Sequence, residues 1–299
     1  MTAFLKNVAV VGTGMLGTQI ALISAHFGYR VRVFDTDKGA FDNSLERLRA
    51  QIKSRGCEPS IPRDQWPQCI EFIDRTNDLE TALEEADLVI EAVPENPDIK
   101  RRVFRELGQN VQAHVILATN SSSIPVSRME EYCGRPERCL NIHFTSPLMG
   151  NNIVDVMGGT KTSSRVFERG LSWVRSLGCI PLKVKKEIPG FCLGRVWRAV
   201  KKETLFLWSH GYADFRDIDR GWMVFSGMKY GPFGMMDAVG LDVIYDIEMF
   251  YYQESGDPRD HPPEALKRMV ERGELGVKTV KGYYSYPDPE YQNPDFLKP

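Results

Sequence analysis

The sequence predicts two domains of different class: an α/β domain built on a doubly wound parallel sheet over residues 1–186, then an all-α domain over 187–299. Three observations carry this. Strand-like and helix-like segments alternate at helix-length spacing as far as Val184, which calls for parallel strands joined by right-handed crossovers. A glycine-rich turn links the first strand to the first helix. After Lys185-Lys-Glu-Ile-Pro-Gly190, where charge gives way to Pro-Gly, the segments read as helices.

The glycine turn organises the first half. Val8-Ala-Val-Val11 is a short apolar run, and Gly12-Thr-Gly14-Met-Leu-Gly17 follows at G-x-G-x-x-G spacing. Gly12 allows the tight turn, Gly14 lets backbone approach a pyrophosphate, and Gly17 lets the next helix pack on the strand. That helix begins with free N–H groups and a partial positive charge facing the phosphates, which puts Met15 and Leu16 beside the cofactor as well. A second strand, Val31-Arg-Val-Phe-Asp35, ends in an acid eighteen residues beyond Gly17. About 20 is the spacing expected for a carboxylate on a ribose 2′-OH. Asp35 would repel a 2′-phosphate, and no Arg follows it directly, so the expected cofactor is NAD in a Rossmann-type domain.

Further elements follow in order. Lys38 to Arg55 is expected to be helical, with Phe41, Leu45, Leu48 and Ile52 as its apolar stripe. Pro59, Pro62 and Pro67 mark an irregular connection before a short strand at 70–73. A helix at 79–86, a buried strand at 87–94, a helix at 100–109 and a strand at 115–119 come next. Strands at 139–144 and 153–157, a helix at 166–177 and a strand at 180–184 close the sheet. Helices are expected at 191–210, 214–227, 240–254 and 262–273, and the stretch from Pro287 as a loosely held arm. The active site is expected in the cleft between the domains.

Composition narrows the function classes. The 299 residues carry a net charge of −2, with 42% apolar and 26% charged residues, so no general attraction to nucleic acid or acidic membranes is implied. No apolar run approaches 18 residues, and no signal peptide is recognisable at the start. The six cysteines form no C-x-x-C pair and no Cys/His metal spacing, which reads as free thiols in a reducing cytoplasm without a metal.

His143 ends a strand at the expected nicotinamide rim, and Asp155 lies twelve residues on at a neighbouring strand. A carboxylate beside an imidazole fixes its tautomer and raises its basicity, as alcohol oxidation requires. Asn120-Ser-Ser-Ser123 follows another strand at the edge where open α/β sheets bind ligands, and Ser121, Ser122 and Ser123 are equally eligible to contact the reacting oxygen.

Val89-Ile-Glu91-Ala-Val-Pro-Glu95-Asn96, Asn120-Ser-Ser-Ser, His143-Phe, Ile188-Pro-Gly-Phe191, Gly231-Pro-Phe233, Val239-Gly-Leu-Asp242 and Lys281-Gly-Tyr-Tyr284 occur in this order along nearly the whole chain. Together they resemble the 3-hydroxyacyl-CoA dehydrogenase family, and Asn151 to Lys161 is similar to its diketoreductase-like members. The resemblance implies His143 as the catalytic histidine and Ser122 as the serine shared by substrate and cofactor. It implies Glu95 and Lys100 near the nicotinamide ribose, and a homodimer formed through the helical domain. Three positions depart from the family pattern: Asp155 replaces a Glu, Ser146 replaces an Asn near the nicotinamide, and Gly194 replaces a substrate-contacting Asn. On a helix from about 191, Arg198 shares the Gly194 face. It either snorkels to solvent or clamps an anionic substrate group in the space Gly194 leaves. The helix at 39–55 is not distinctly basic, which favours a small β-hydroxy or β-keto substrate over a CoA thioester. A true 3-hydroxyacyl-CoA dehydrogenase and a catalytically weak, crystallin-like NAD-binding protein are the alternatives.

Overall fold

A computed structural model describes residues 5–55 and 58–298. The chain divides into two compact units, residues 1–192 and 193–299.

The first unit is built on β1 (Asn7–Val11), α1 (Met15–His26), β2 (Arg30–Phe34), α2 (Ala40–Arg55), α3 (Trp66–Glu71), β3 (Ile73–Thr76) and α4 (Leu79–Leu83). Then come β4 (Leu88–Glu91), α5 (Pro97–Asn110), β5 (Ile116–Thr119), β6 (Cys139–Phe144), β7 (Ile153–Gly158), α6 (Ser164–Ser176) and β8 (Ile180–Val184). The strands form one sheet in the order β3-β2-β1-β4-β5-β6-β7-β8. Alternation of side chains along each strand feeds two cores. Val8, Val10, Leu88, Ile90, Leu140 and Ile142 pack on one face, and Ala9, Val11, Val89 and Leu117 on the other. Strands buried on both faces read as continuous apolar runs, which is why they were legible.

Parallel pairing holds from β3 to β6, but β6 and β7 are antiparallel, with His143 directly opposite Asp155. No α-helix lies between them: a short connection holding the 3-10 turn Pro147–Met149 reverses the chain. A parallel partner needs a longer crossover. α6 provides one between β7 and β8, which are parallel to each other. The stretch at 70–73 expected as a strand divides between the end of α3 and the first residue of β3.

The second unit holds α7 (Leu193–Ser209), α8 (Phe215–Ser226), α9 (Pro232–Val239), α10 (Leu241–Ser255) and α11 (Glu264–Glu271). Its core joins Leu205, Phe233, Met236, Ile244, Leu266 and Tyr284. Asp219 accepts from the N–H groups of Phe233 and Gly234 and from Tyr284 Oη. Asp237 accepts from the N–H groups of Tyr283 and Tyr284 and from Tyr286 Oη. The tail is not a loose arm. Tyr291 packs edge-on to Tyr284, Phe296 is buried, and Arg220 donates to the Phe296 carbonyl while lying over its ring. Two aromatic anchors outweigh the local influence of the prolines.

Candidate active site

The first βα turn behaves as its glycines require. Gly12 has φ +98°, and a Cβ there would lie 2.7 Å from the Ala92 carbonyl oxygen; at Gly17 it would lie 1.9 Å from the Gly12 oxygen. Gly14 is different: exposed, with nothing within 4 Å of an added Cβ. It precedes Met15 at the start of α1 and supplies no side-chain cap, so the first-turn N–H groups of Met15 and Leu16 face the open space a pyrophosphate needs. Asp35 stands over the same turn. Its Oδ2 accepts from the N–H and hydroxyl of Thr13, at 2.7 and 3.0 Å, and its Oδ1 from the Asp37 N–H. A carboxylate has about four acceptor positions, so one is left for a ribose hydroxyl. The residues present fit a dinucleotide.

The next cluster runs from β4 to β5. Glu91 and Lys100 form a fully buried ion pair at 2.8 Å. Glu91 also accepts from the Val93 N–H and Thr119 Oγ1. Lys100 Nζ reaches the Val93 carbonyl at 3.2 Å and Glu95 Oε2 at 3.3 Å. Its ammonium is therefore held by Glu91, the Val93 carbonyl and Glu95 together, directly beneath the Glu95 carboxylate. Glu95 in turn accepts from Ser121 Oγ and from the N–H and Oγ of Ser123. Burial pushes this carboxyl up, but Ser121, the Lys100 charge and Ser123 outweigh it, and it is held below the ordinary glutamate value. Ser121 and Ser123 are thus occupied. Ser122, between them, is exposed and hydrogen-bonds to none of the described residues.

β6 and β7 bring the candidate acid–base pair together. His143 Nδ1 lies 3.5 Å from Asp155 Oδ2, both side chains largely buried, yet neither Nδ1 nor Asp155 Oδ1 has a hydrogen-bond partner among the described residues. Asn120 Oδ1 accepts from the Phe144 N–H and ties the end of β6 to the turn after β5. Ser146 follows with φ +136°, a conformation rare outside glycine. Phe191 lies flat on the imidazole, with ring centroids 4.9 Å apart and planes 7° from parallel.

Residues 7–188 match the model of the 3-hydroxyacyl-CoA dehydrogenase NAD-binding domain, and residues 190–286 that of the C-terminal domain. The chain belongs to the 3-hydroxyacyl-CoA dehydrogenase family. It carries that family's NAD-binding domain and is a dehydrogenase acting on hydroxyl groups. A probable 3-hydroxybutyryl-CoA dehydrogenase of Bacillus subtilis (strain 168) is 30% identical, over 94% of this chain and 98% of its own. A solved diketoreductase, described for substrate-directed dual catalysis of dicarbonyl compounds, is 32% identical with TM-score 0.84, covering 95% and 100%. The (S)-3-hydroxybutyryl-CoA dehydrogenase of Ralstonia eutropha is 27% identical with TM-score 0.82, also covering 95% and 100%.

Of the three departures from the 3-hydroxyacyl-CoA dehydrogenase pattern, Gly194 lies in the second unit, exposed, with nothing within 4 Å of an added Cβ. Arg198, one turn on, neither snorkels nor stands free to clamp a substrate. Its guanidinium is 3.1 Å from Glu248 Oε2 and 3.0 Å from Asp260 Oδ1, and it lies over the Tyr251 ring at 4.0 Å. Lys201, fully buried, pairs with Glu248 too. Buried Glu248 on α10 requires a cation, part-buried Asp260 just beyond that helix takes one too, and α7 supplies both.

Sequence reasoning left Glu91 and Thr13 without roles. A signal for Glu91 existed: one acid inside an otherwise apolar strand, Leu88-Val-Ile-Glu91-Ala-Val, requires a buried partner.

Proposed function

We propose that this chain interconverts a β-hydroxy and a β-keto group on a small acyl substrate, with His143 as general base and acid and Asp155 as its charged neighbour. The observation that supports this most is the direct cross-strand pairing of His143 with Asp155, two side chains drawn together in a largely buried seam. When bound, NAD⁺ supplies the hydride acceptor for the carbinol carbon. Nδ1 faces the carboxylate, which leaves Nε2 to take the hydroxyl proton. The imidazolium so formed is balanced by Asp155. In reduction the same nitrogen returns the proton to the carbonyl oxygen. Ser122, whose hydroxyl its neighbours leave free, donates to that oxygen. Glu95, kept ionised, and Ser146 line the nicotinamide side, while Gly12, Gly14, Gly17, Met15, Leu16 and Asp35 hold the pyrophosphate and ribose. Asp155 reaches 3.5 Å without a hydrogen bond, so it contributes charge more than alignment.

A small substrate is favoured by α2, where Arg49 is paired with Glu46 and Asp42 adds a further acid, so the helix is not distinctly basic towards a 3′-phosphorylated nucleotide, with Arg47 and Lys53 as further exposed cations. With Arg198 committed to Glu248 and Asp260, an anionic substrate group has no clamp among the residues singled out. The second reading, a CoA thioester, is favoured by relatives named 3-hydroxybutyryl-CoA dehydrogenase that match end to end. Incubation with NAD⁺ and a panel of 3-hydroxy acids, free and as CoA thioesters, followed by nicotinamide absorbance, separates the two. His143→Ala is expected to lower kcat by at least about 10²-fold. Undiminished turnover overturns the assignment, and no turnover with any panel member returns the chain to a weak NAD-binding protein.

A further inference from the structure

We infer that Phe191 is a positioning residue for His143, its ring holding the imidazole in one plane and favouring its protonated form. This rests on the reading of His143 as the base.

The Asp155 contact does not orient the ring. At 3.5 Å, with Nδ1 lacking a hydrogen-bond partner, the carboxylate acts as a charge at the imidazole edge. Phe191 supplies the missing constraint from the face: planes 7° from parallel at 4.9 Å cannot be kept while the imidazole rotates about χ2. The strap carrying Phe191 is built to hold it there. Ser127 donates its N–H and hydroxyl to Glu187, and the Ile188 N–H points to Met157 Sδ. Phe191 itself packs with Met157, Val184 and Ile188 and is buried. It adopts φ +52° directly after Gly190 at +79°. A non-glycine residue pays for a left-handed backbone, and such strain persists only where the surroundings fix it. Here the fixed outcome is the stacked ring.

The stacking also has an electrostatic sign. An imidazolium within about 6 Å of a ring centroid gains an electrostatic attraction to its π face that a stacked neutral imidazole lacks. Among the described residues, Asp155 is the charged group within ion-pair distance of the ring. β5 and the turn after it contribute neutral Thr119 and Asn120. On the strap, Lys185 and Lys186 are exposed and Glu187 is engaged by Ser127. Asp155 from the edge and Phe191 from the face both stabilise the state His143 reaches when it takes the proton.

The test is a titration of ring-labelled histidines by NMR in the protein without cofactor, with the His143 signal assigned by its absence in His143→Asn. Phe191→Leu is expected to lower the His143 midpoint by about half a pH unit, and Phe191→Trp to hold or raise it. In steady-state kinetics Phe191→Leu is expected to lower kcat roughly tenfold with KM little changed, with recovery in Phe191→Trp. If Phe191→Leu does not fold, Phe191→Tyr carries the measurement, and a preserved midpoint and kcat are expected. A His143 midpoint and kcat untouched by Phe191→Leu, or lowered as much by Trp or Tyr as by Leu, overturn the inference. A midpoint that shifts while His143→Ala keeps full turnover leaves the stacking intact and removes the catalytic reading beneath it.

Discussion

Single residues in this chain divide by whether their role is local. Gly12, Gly14, Gly17 and Asp35 were legible because backbone geometry and one carboxylate at fixed spacing leave few alternatives. Lys100 and Arg198 were placed on the right helices, but their acceptors were not visible from spacing: Glu91 is nine residues from Lys100, and Glu248 is fifty from Arg198. Ser121, Ser122 and Ser123 are indistinguishable by spacing, and Glu95, which accepts from Ser121 and Ser123, lies twenty-six and twenty-eight residues from them. The Glu91–Lys100 pair yields a prediction at this scale. Lys100→Met leaves Glu91 as an uncompensated buried charge and is expected to cost about 3–5 kcal/mol in denaturant unfolding. Glu91→Gln with Lys100→Met removes both charges and is expected to restore much of that loss. A Lys100→Met protein as stable as the parent contradicts the buried pair.

Among elements, strands buried on both faces and long amphipathic helices were readable from pattern, while short elements were not. α9 was missed because eight residues show little periodicity, although Pro232 at its first position and Gly240 after its last mark both ends. The reversal at β6–β7 went unread because pattern gives strand positions and not directions. Asp219 shows how α9 is held. Burial, against hydrogen bonds from Phe233, Gly234 and Tyr284, pushes its carboxyl up to about 6 from an ordinary 3.8. An acid whose folded value lies above its unfolded one stabilises the fold fully below the unfolded value, and that contribution is lost as pH rises through about 6. Asp219→Asn sets an amide NH₂ against backbone N–H donors and is expected to destabilise by about 1–3 kcal/mol. In chemical denaturation at pH 5 and pH 7 it is also expected to flatten the decline that Asp219 gives the parent protein. An equal slope in both proteins contradicts the assignment.

For the whole molecule, the division into an α/β and a helical unit was legible from the change of pattern after Val184, and the family match spans both. Assembly belongs to this scale. On α8, Val224 is 67% exposed and Phe225 87%, and on α10 Val243, Ile247 and Phe250 are exposed as well. We expect a homodimer formed through this unit, with Phe225→Asp shifting the mass in light scattering from two chains towards one. A parent protein of one-chain mass at micromolar concentration contradicts it. The seam between β6 and β7 has a consequence for how such an enzyme can change. Because His143 and Asp155 face each other across an antiparallel ladder, sliding either strand by one position would turn its side chain to the opposite side of the sheet. Gradual drift in their separation is closed to natural variation, and the coupling between them can be retuned only in discrete steps, by exchanging one acid for its longer or shorter homologue.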